Sequence, residues 1–316
     1  MEKIQVAVIG SGYLGKFHAE KYVRHPEAEL IGVVDTNYSR ALALANQTNS
    51  KPFINYKDLY TQLHAVSIVV PTPLHYSIAK DFLEHDINVL LEKPMTTTLK
   101  EADELIAIAH ARDLILQIGH LERFNSAYLA VEGLVKNPLF IESHRLNSFQ
   151  ERGTEVDVIL DIMIHDIDII LSLVGAEVKE IHAVGVPVIS PMIDIANARL
   201  EFENGCVVNA TASRISDKSM RKIRIFQHDA YISIDFATQK VSVYRKIEDD
   251  GRLPCIVSKK LEIEPRDSLE EEIKAFLRAV KEKSTPPVSG EEGIRALKVA
   301  LEIAKQLRVD TQRISE

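Results

Sequence analysis

KIQVAVIGSGYLGKF, residues Lys3 to Phe17, sets a short apolar run directly before three closely spaced glycines. Ile4 to Ile9 is rich in β-branched residues and far too short to span a membrane, which predicts a parallel strand buried on both faces. Gly10, Gly12 and Gly15 complete GxGxxG, and helical periodicity runs from Tyr13 to Arg24. In a strand, turn and helix setting each glycine has its own task. The first makes the tight turn, the second lets backbone approach a pyrophosphate, and the third lets helix pack on strand. The amides that open the helix, at Tyr13 and Leu14, would face the phosphates.

GxGxxG alone is weak evidence, because glycine-rich turns also occur in α/β proteins that bind no nucleotide. Here a second apolar strand, Leu30 to Val34, ends in Asp35, twenty residues after Gly15. A carboxylate there accepts from both ribose hydroxyls and repels a 2′-phosphate, which favours NAD over NADP. Arg40, just beyond, keeps NADP open, since a guanidinium after this strand can serve a phosphate.

The chain's 316 residues suffice for two cored domains, and 46% hydrophobic with 27% charged residues is an ordinary globular composition. A net charge of −8 argues against non-specific nucleic-acid binding. Cys206 and Cys255 are too few for a disulfide framework or a metal cage. With no charged leader and no apolar run of membrane length, the expected compartment is the cytoplasm.

From Lys3 to about Gly119 strands and helices alternate, predicting a doubly wound parallel sheet. Helices are expected at Ser39 to Thr48 and Tyr56 to Leu63. Val66 to Val70 reads as a strand that ends at Pro71-Thr72-Pro73, where proline forces the chain out of the sheet. Such carboxyl ends are where open α/β sheets bind ligands, so Thr72, Pro73 and His75 are cofactor-side candidates. A solvated histidine at a helix start is the competing reading of His75. Val89 to Leu91 delivers Glu92-Lys93-Pro94 to the same edge. Lys93 could stabilise negative charge on a substrate oxygen or be an ordinary surface lysine, and a cis Lys93-Pro94 bond would aim it inward. Thr98 and Glu101 form a capping box for a helix to about Ala111.

Beyond about residue 123 the pattern changes, so we expect a dinucleotide-binding domain over 1–123 and an α+β domain over 124–316. A helix near Tyr128 to Val135 and a strand from Phe140 to Phe149 come first. Val156 to Val174, capped by Thr154 and ended by Gly175, is apolar almost all round and predicts a buried helix. Into it the sequence sets Asp157, Asp161, His165 and Asp168 at steps of four, four and three, one stripe of an α-helix. His165 suits a general base, with Asp161 one turn back to orient it. The stripe could equally be a structural polar network or share a metal ion. Six alternating segments between Glu177 and Lys246, with the hairpin signal Asn204-Gly205, predict a large, mostly antiparallel sheet. Its uncovered face is a candidate surface for a homodimer or homotetramer. Two amphipathic helices, Asp267 to Lys281 and Gly290 to Leu307, close the chain.

Gly10 to Gly15, Asp35, Thr72-Pro73, Glu92-Lys93-Pro94, and Asp161 with His165 four residues later together resemble the Gfo/Idh/MocA family of NAD(P)-dependent oxidoreductases. The resemblance extends over essentially the whole chain. It implies that Lys93 and His165 are the catalytic pair, with Asp161 beside them in the substrate pocket, and that the second domain binds substrate and self-associates. It implies Glu92 on the cofactor side and Arg123, Asn125 and Arg152 on the substrate side. A finer resemblance, at Gly119 to Asn125, from Arg152, and from Ala212 to Phe236, is to the branch that oxidises UDP-N-acetylglucosamine at C3 for lipid A assembly. A pyrophosphate-bearing substrate would draw its clamp from Arg123, Arg145, Arg152, Arg214 and Arg221. Met163 departs from a frequent glycine and would narrow the space beside His165; Ser126 replaces a frequent proline. The alternatives are a free-sugar or inositol dehydrogenase and a non-catalytic NAD-binding sensor.

Overall fold

The computed structural model describes residues 3–149, 156–247 and 255–314, and the chain separates into two compact units. Unit 1 comprises residues 1–121 and 267–294; unit 2 comprises residues 122–266 and 295–316.

Unit 1 begins with β1 (Ile4–Ile9), α1 (Tyr13–Arg24), β2 (Ala28–Val34), α2 (Tyr38–Thr48) and β3 (Lys51–Phe53). It continues with β4 (Ala65–Ile68), α3 (His75–Glu84), β5 (Asn88–Glu92), α4 (Leu99–Ala111) and β6 (Leu116–Gly119). The six strands are parallel in the order β3-β2-β1-β4-β5-β6. Val6, Ala7 and Val8 are wholly buried, as the central strand of a doubly covered sheet requires. Strand order reverses at β1, which sets the ligand crevice at the carboxyl ends there. The register brings these ends level: Ile9 pairs with Val34 and with Ile68, and Ile68 with Leu91. The glycine turn, Asp35, the Thr72 turn and Lys93 therefore leave the sheet at one edge.

Unit 2 contains α5 (Ser126–Leu129), β7 (Phe140–Leu146), a π-helical turn (Ile159–Met163) running into α6 (Ile164–Val174), and seven further strands. These are β8 (Val178–Val186), β9 (Ile195–Phe202), β10 (Val207–Ser213), β11 (Met220–Gln227), β12 (Ala230–Asp235), β13 (Lys240–Ile247) and β14 (Cys255–Lys260). The eight-stranded sheet runs β14-β13-β12-β11-β7-β10-β9-β8, antiparallel throughout except for the parallel β7 and β10 pair. Asn204-Gly205 joins β9 to β10, with Gly205 at φ +84° as a tight hairpin demands. Ile164, Ile167 and Ile170 of α6 share one apolar core with Leu200, Val208, Ile223 and Ile234 of the sheet.

The chain passes from unit 1 to unit 2 after Leu121, beside the boundary expected from the sequence, and unit 1 also takes residues 267–294. Helix α7 (Ser268–Glu282) returns to unit 1, where Ile273, Phe276 and Leu277 pack with Val6, Val8, Tyr22 and Val33. Helix α8 (Gly290–Ile314) gives its first residues to unit 1 and the rest to unit 2. Two expected helices shrink: Tyr56 to Leu63 keeps a single 3₁₀ turn, Tyr56–Leu59, and Tyr128 to Val135 is replaced by the short α5. Val156 to Val174 is not one uniform helix, since it enters through the π-turn. Thr154 lies outside the described residues. No helix among the described residues is long and apolar enough to cross a membrane.

Candidate active site

In unit 1 the glycine turn divides its labour as its spacing implies. Gly10 sits at φ +105°, and a Cβ there would come within 2.2 Å of the Val69 carbonyl oxygen. A Cβ on Gly15 would stand 1.8 Å from the Gly10 carbonyl oxygen, so α1 reaches the strand only because that methyl is missing. A Cβ on Gly12 would meet no protein atom within 4 Å. Packing does not explain that glycine, and the open space is what close approach of a phosphate would need. Tyr13 and Leu14 are exposed at the start of α1, whose first turn carries no acidic residue, so its positive end suits an anion.

Asp35 lies at the end of β2, where its Oδ2 accepts the Ser11 amide at 3.1 Å and its Oδ1 the Asn37 amide at 2.8 Å. The exposed Arg40 guanidinium is 3.2 Å from Oδ1. Both groups read from sequence thus meet, and the carboxylate is pinned to the glycine turn itself. Glycines, helix end and acid form a set that fits a dinucleotide: the backbone of Gly10 to Leu14 for its phosphates and Asp35 for its adenosine ribose.

The turn that carries Lys93 is anchored from below. The Lys93-Pro94 peptide is cis. His75 is not a solvated histidine: it is 1% exposed, with Nδ1 2.9 Å from the Pro94 carbonyl and Nε2 2.8 Å from that of Val70. Burial pushes its pKa below the ordinary histidine value, against the backbone hydrogen bonds and the charge of Glu92. A neutral ring donates one N–H, so it ties the Thr72 turn to the Lys93 turn through one bond at a time. Glu92 is also buried; its Oε1 is 3.1 Å from His18 Nε2 and its Oε2 accepts the Lys93 amide at 3.3 Å. Lys93 is half-buried, and Thr72 and Pro73 form a partly exposed 3₁₀ turn.

In unit 2 the expected acid stripe splits in two. The π-turn inserts a residue into the helical repeat and so turns the stripe. Asp157 is buried and accepts the Ile193 amide at 3.2 Å, and Asp168 is buried 3.6 Å from Arg123. Asp161 and His165 remain partly exposed, on the turn and just after it. Asn125 is a structural cap: it accepts the Ala127 amide at 3.0 Å and donates to Glu122 at 3.1 Å and the Phe236 carbonyl at 3.2 Å. Every polar atom of its side chain is thus engaged inside unit 2. Met163 is buried in the core of unit 2. The Ser126 hydroxyl accepts the Arg266 amide at 3.1 Å, a bond proline could not offer.

Arg145 is buried between Glu122 at 2.8 Å and Asp166 at 2.6 Å, and Asp166 also accepts the Ser143 hydroxyl. Arg214 is buried and donates to the Val156 carbonyl. Arg123 lies over the Tyr128 ring beside Asp168, Arg152 lies outside the described residues, and Arg221 is exposed on β11. Two groups escaped the sequence reading. His18 belongs to the buried stripe Gly15, His18, Ala19 and Tyr22, and Glu272 to the stripe Leu269, Glu272, Ile273 and Phe276 of α7; their helical spacing was the available signal.

Comparison with known proteins agrees with this geometry. Residues 4–120 match the model of an oxidoreductase family with an NAD-binding Rossmann fold, and residues 117–233 match the Gfo/Idh/MocA C-terminal domain. The UDP-N-acetylglucosamine 3-dehydrogenase of Acidithiobacillus ferrooxidans is 36% identical over 99% of this chain and 100% of its own. A solved structure of that enzyme superposes with a TM-score of 0.92 at 35% identity, covering 98% of this chain and 99% of that one. The myo-inositol 2-dehydrogenase of Thermotoga maritima is 27% identical over 96% of each chain. With a glycine cradle, a ribose acid, a parallel six-stranded sheet and both halves matched, the chain belongs to the Gfo/Idh/MocA family of NAD-binding oxidoreductases.

Proposed function

We propose that the protein is an NAD-dependent dehydrogenase of a nucleotide sugar, oxidising the 3-hydroxyl of UDP-N-acetylglucosamine. The observation that carries the reading is the end-to-end match at 36% identity to an enzyme of that name, in a chain that has Lys93, Asp161 and His165. The half-buried Lys93 on its anchored turn and the partly exposed His165 support the same chemistry. His165 takes the proton of the sugar hydroxyl, and Asp161 orients its ring and favours the charged form. The Lys93 ammonium stabilises the oxygen as its negative charge develops. The chemistry supplied by bound NAD is acceptance of the hydride from the same carbon. Unit 1 serves the cofactor, while unit 2 serves the sugar and presents its sheet to further copies of the chain. The reaction belongs to the cytoplasm and hands a 3-keto nucleotide sugar to an aminating step of lipid A assembly.

The test is NADH formation with UDP-N-acetylglucosamine, UDP-glucose, myo-inositol and scyllo-inositol as substrates. UDP-N-acetylglucosamine is expected to give the highest kcat/KM, and Lys93→Ala or His165→Ala to lower kcat roughly 100-fold or more. Preference for an inositol would move the chain to the polyol branch. NAD binding with no turnover of any substrate would make it a sensor.

A further inference from the structure

Beneath the Lys93 turn, wholly within unit 1, lies a polar cluster that the reaction above leaves unused. His18 of α1, Glu92 of β5 and Glu272 of α7 bring an imidazole nitrogen and two carboxyl oxygens within 4.8 Å of one another. All three are shut from solvent, Glu272 completely. His18 and Glu92 pair, and Glu92 also accepts the Lys93 amide. Neither Glu272 oxygen has a hydrogen-bond partner among the described residues, nor has His18 Nδ1. The neighbouring polar groups do not help: the Tyr22 hydroxyl is engaged with Ser67 at 2.7 Å, and the Gln117 amide donates to the Glu272 backbone. Gly119 completes the chamber, since a Cβ there would press within 3.1 Å of the Glu92 carboxyl.

Two ionised carboxyls this close, away from water, repel strongly enough that one of them keeps its proton. We propose that Glu92 and Glu272 share a single proton, Glu272 being the neutral acid that donates to Glu92, and that with His18 this pair positions the Lys93 peptide. The charges bearing on the pair agree. Burial and the Glu92 charge both push the Glu272 carboxyl well above its ordinary value. Burial alone would raise Glu92 too, but His18 foremost, then Lys93 and His75, bring it below. Glu272 is thus a positioning residue, 179 positions from Lys93 in sequence. Only its kinetic consequence rests on the dehydrogenase reading.

The proton is tested without turnover. Infrared spectra of the parent at neutral pH should carry the carbonyl stretch of a protonated carboxylic acid that Glu272→Gln lacks; no such difference overturns the shared proton. Linkage gives a second readout. A carboxyl whose folded pKa is raised loses stability as pH climbs from its unfolded value toward its folded one, by about tenfold in the folding equilibrium per pH unit. Glu272→Gln removes that loss, so as pH rises above about 4.5 its stability should gain on the parent's. A gap growing in the parent's favour would mean that Glu272 is ionised. A stoichiometric metal ion in the purified protein, absent from Glu272→Gln, would put a cation in place of the proton and equally overturn it. For positioning, Glu272→Ala should lower kcat about tenfold with KM for NAD changed less than about threefold, and Glu272→Gln should recover most of the loss. Equal kcat in parent and Glu272→Ala, or no recovery in Glu272→Gln, overturns that role. A parent inactive on every sugar refutes the functional reading and leaves the infrared and linkage results to decide the proton.

Discussion

Gly12 and Gly15 stand one helical turn apart and respond differently to the same added methyl group. At Gly15 the methyl would overlap the Gly10 carbonyl, so Gly15→Ala should cost about 3 kcal/mol or more in urea denaturation. At Gly12 it meets no protein atom, and the backbone there is at an ordinary φ of −74°. Gly12→Ala should therefore unfold within about 0.5 kcal/mol of the parent. Its defect should appear as NAD affinity weakened roughly tenfold or more in a titration, because the methyl occupies the approach of the phosphates. These roles were legible in sequence because a strand, three glycines and a helix act through their own backbone. His75 and Asn125 were not legible in the same way. Their partners are backbone carbonyls and amides supplied by the tertiary fold, among them Pro94 for the first and Phe236 for the second, and no local pattern announces them.

Elements follow the same division. The hairpin at Asn204-Gly205 and the alternating strands could be read off because turn residues and period-two burial are local properties. The π-turn could not, since nothing in Ile159–Met163 marks the extra residue. Asp161 on it and His165 just after it are partly exposed, while Asp157 before it and Asp168 further along α6 are buried. The loop between β8 and β9 offers a test at this scale. Asp194 is fully buried, and its Oδ2 accepts the amides of Val188 at 2.8 Å, Ile189 at 2.7 Å and Ser190 at 2.9 Å. Burial alone would raise its pKa, but the Ser190 hydroxyl and those amides outweigh it and hold the carboxyl at about 2. A folded pKa below the unfolded one stabilises above the unfolded value and is lost as pH falls through the folded value. Asp194→Asn should thus cost about 2 kcal/mol at neutral pH, with the gap to the parent closing between about pH 4 and pH 2. Chemical denaturation across that range is the measurement.

For the whole molecule, α7 matters most. Its amphipathic pattern was plain in the sequence, but an apolar stripe does not say which sheet it will cover. Phe276 is wholly buried among residues of β1, β2 and α1 that precede it by more than two hundred positions. Phe276→Ala should cost about 3–5 kcal/mol, read from the denaturation midpoint. A fragment of residues 1–123 should fail to unfold cooperatively, because that face of its sheet lies bare and Glu92 lacks the neighbour that α7 brings. The contiguous first domain expected from the sequence is therefore short of one helix. During synthesis the nascent sheet must wait for α7 to leave the ribosome. At roughly 5–20 residues per second, the stretch from Leu121 to Asp267 alone takes roughly 7–30 s to translate. Throughout that interval the nucleotide-binding half is an exposed, unfinished surface that chaperones can recognise, so the part translated first is among the last to mature.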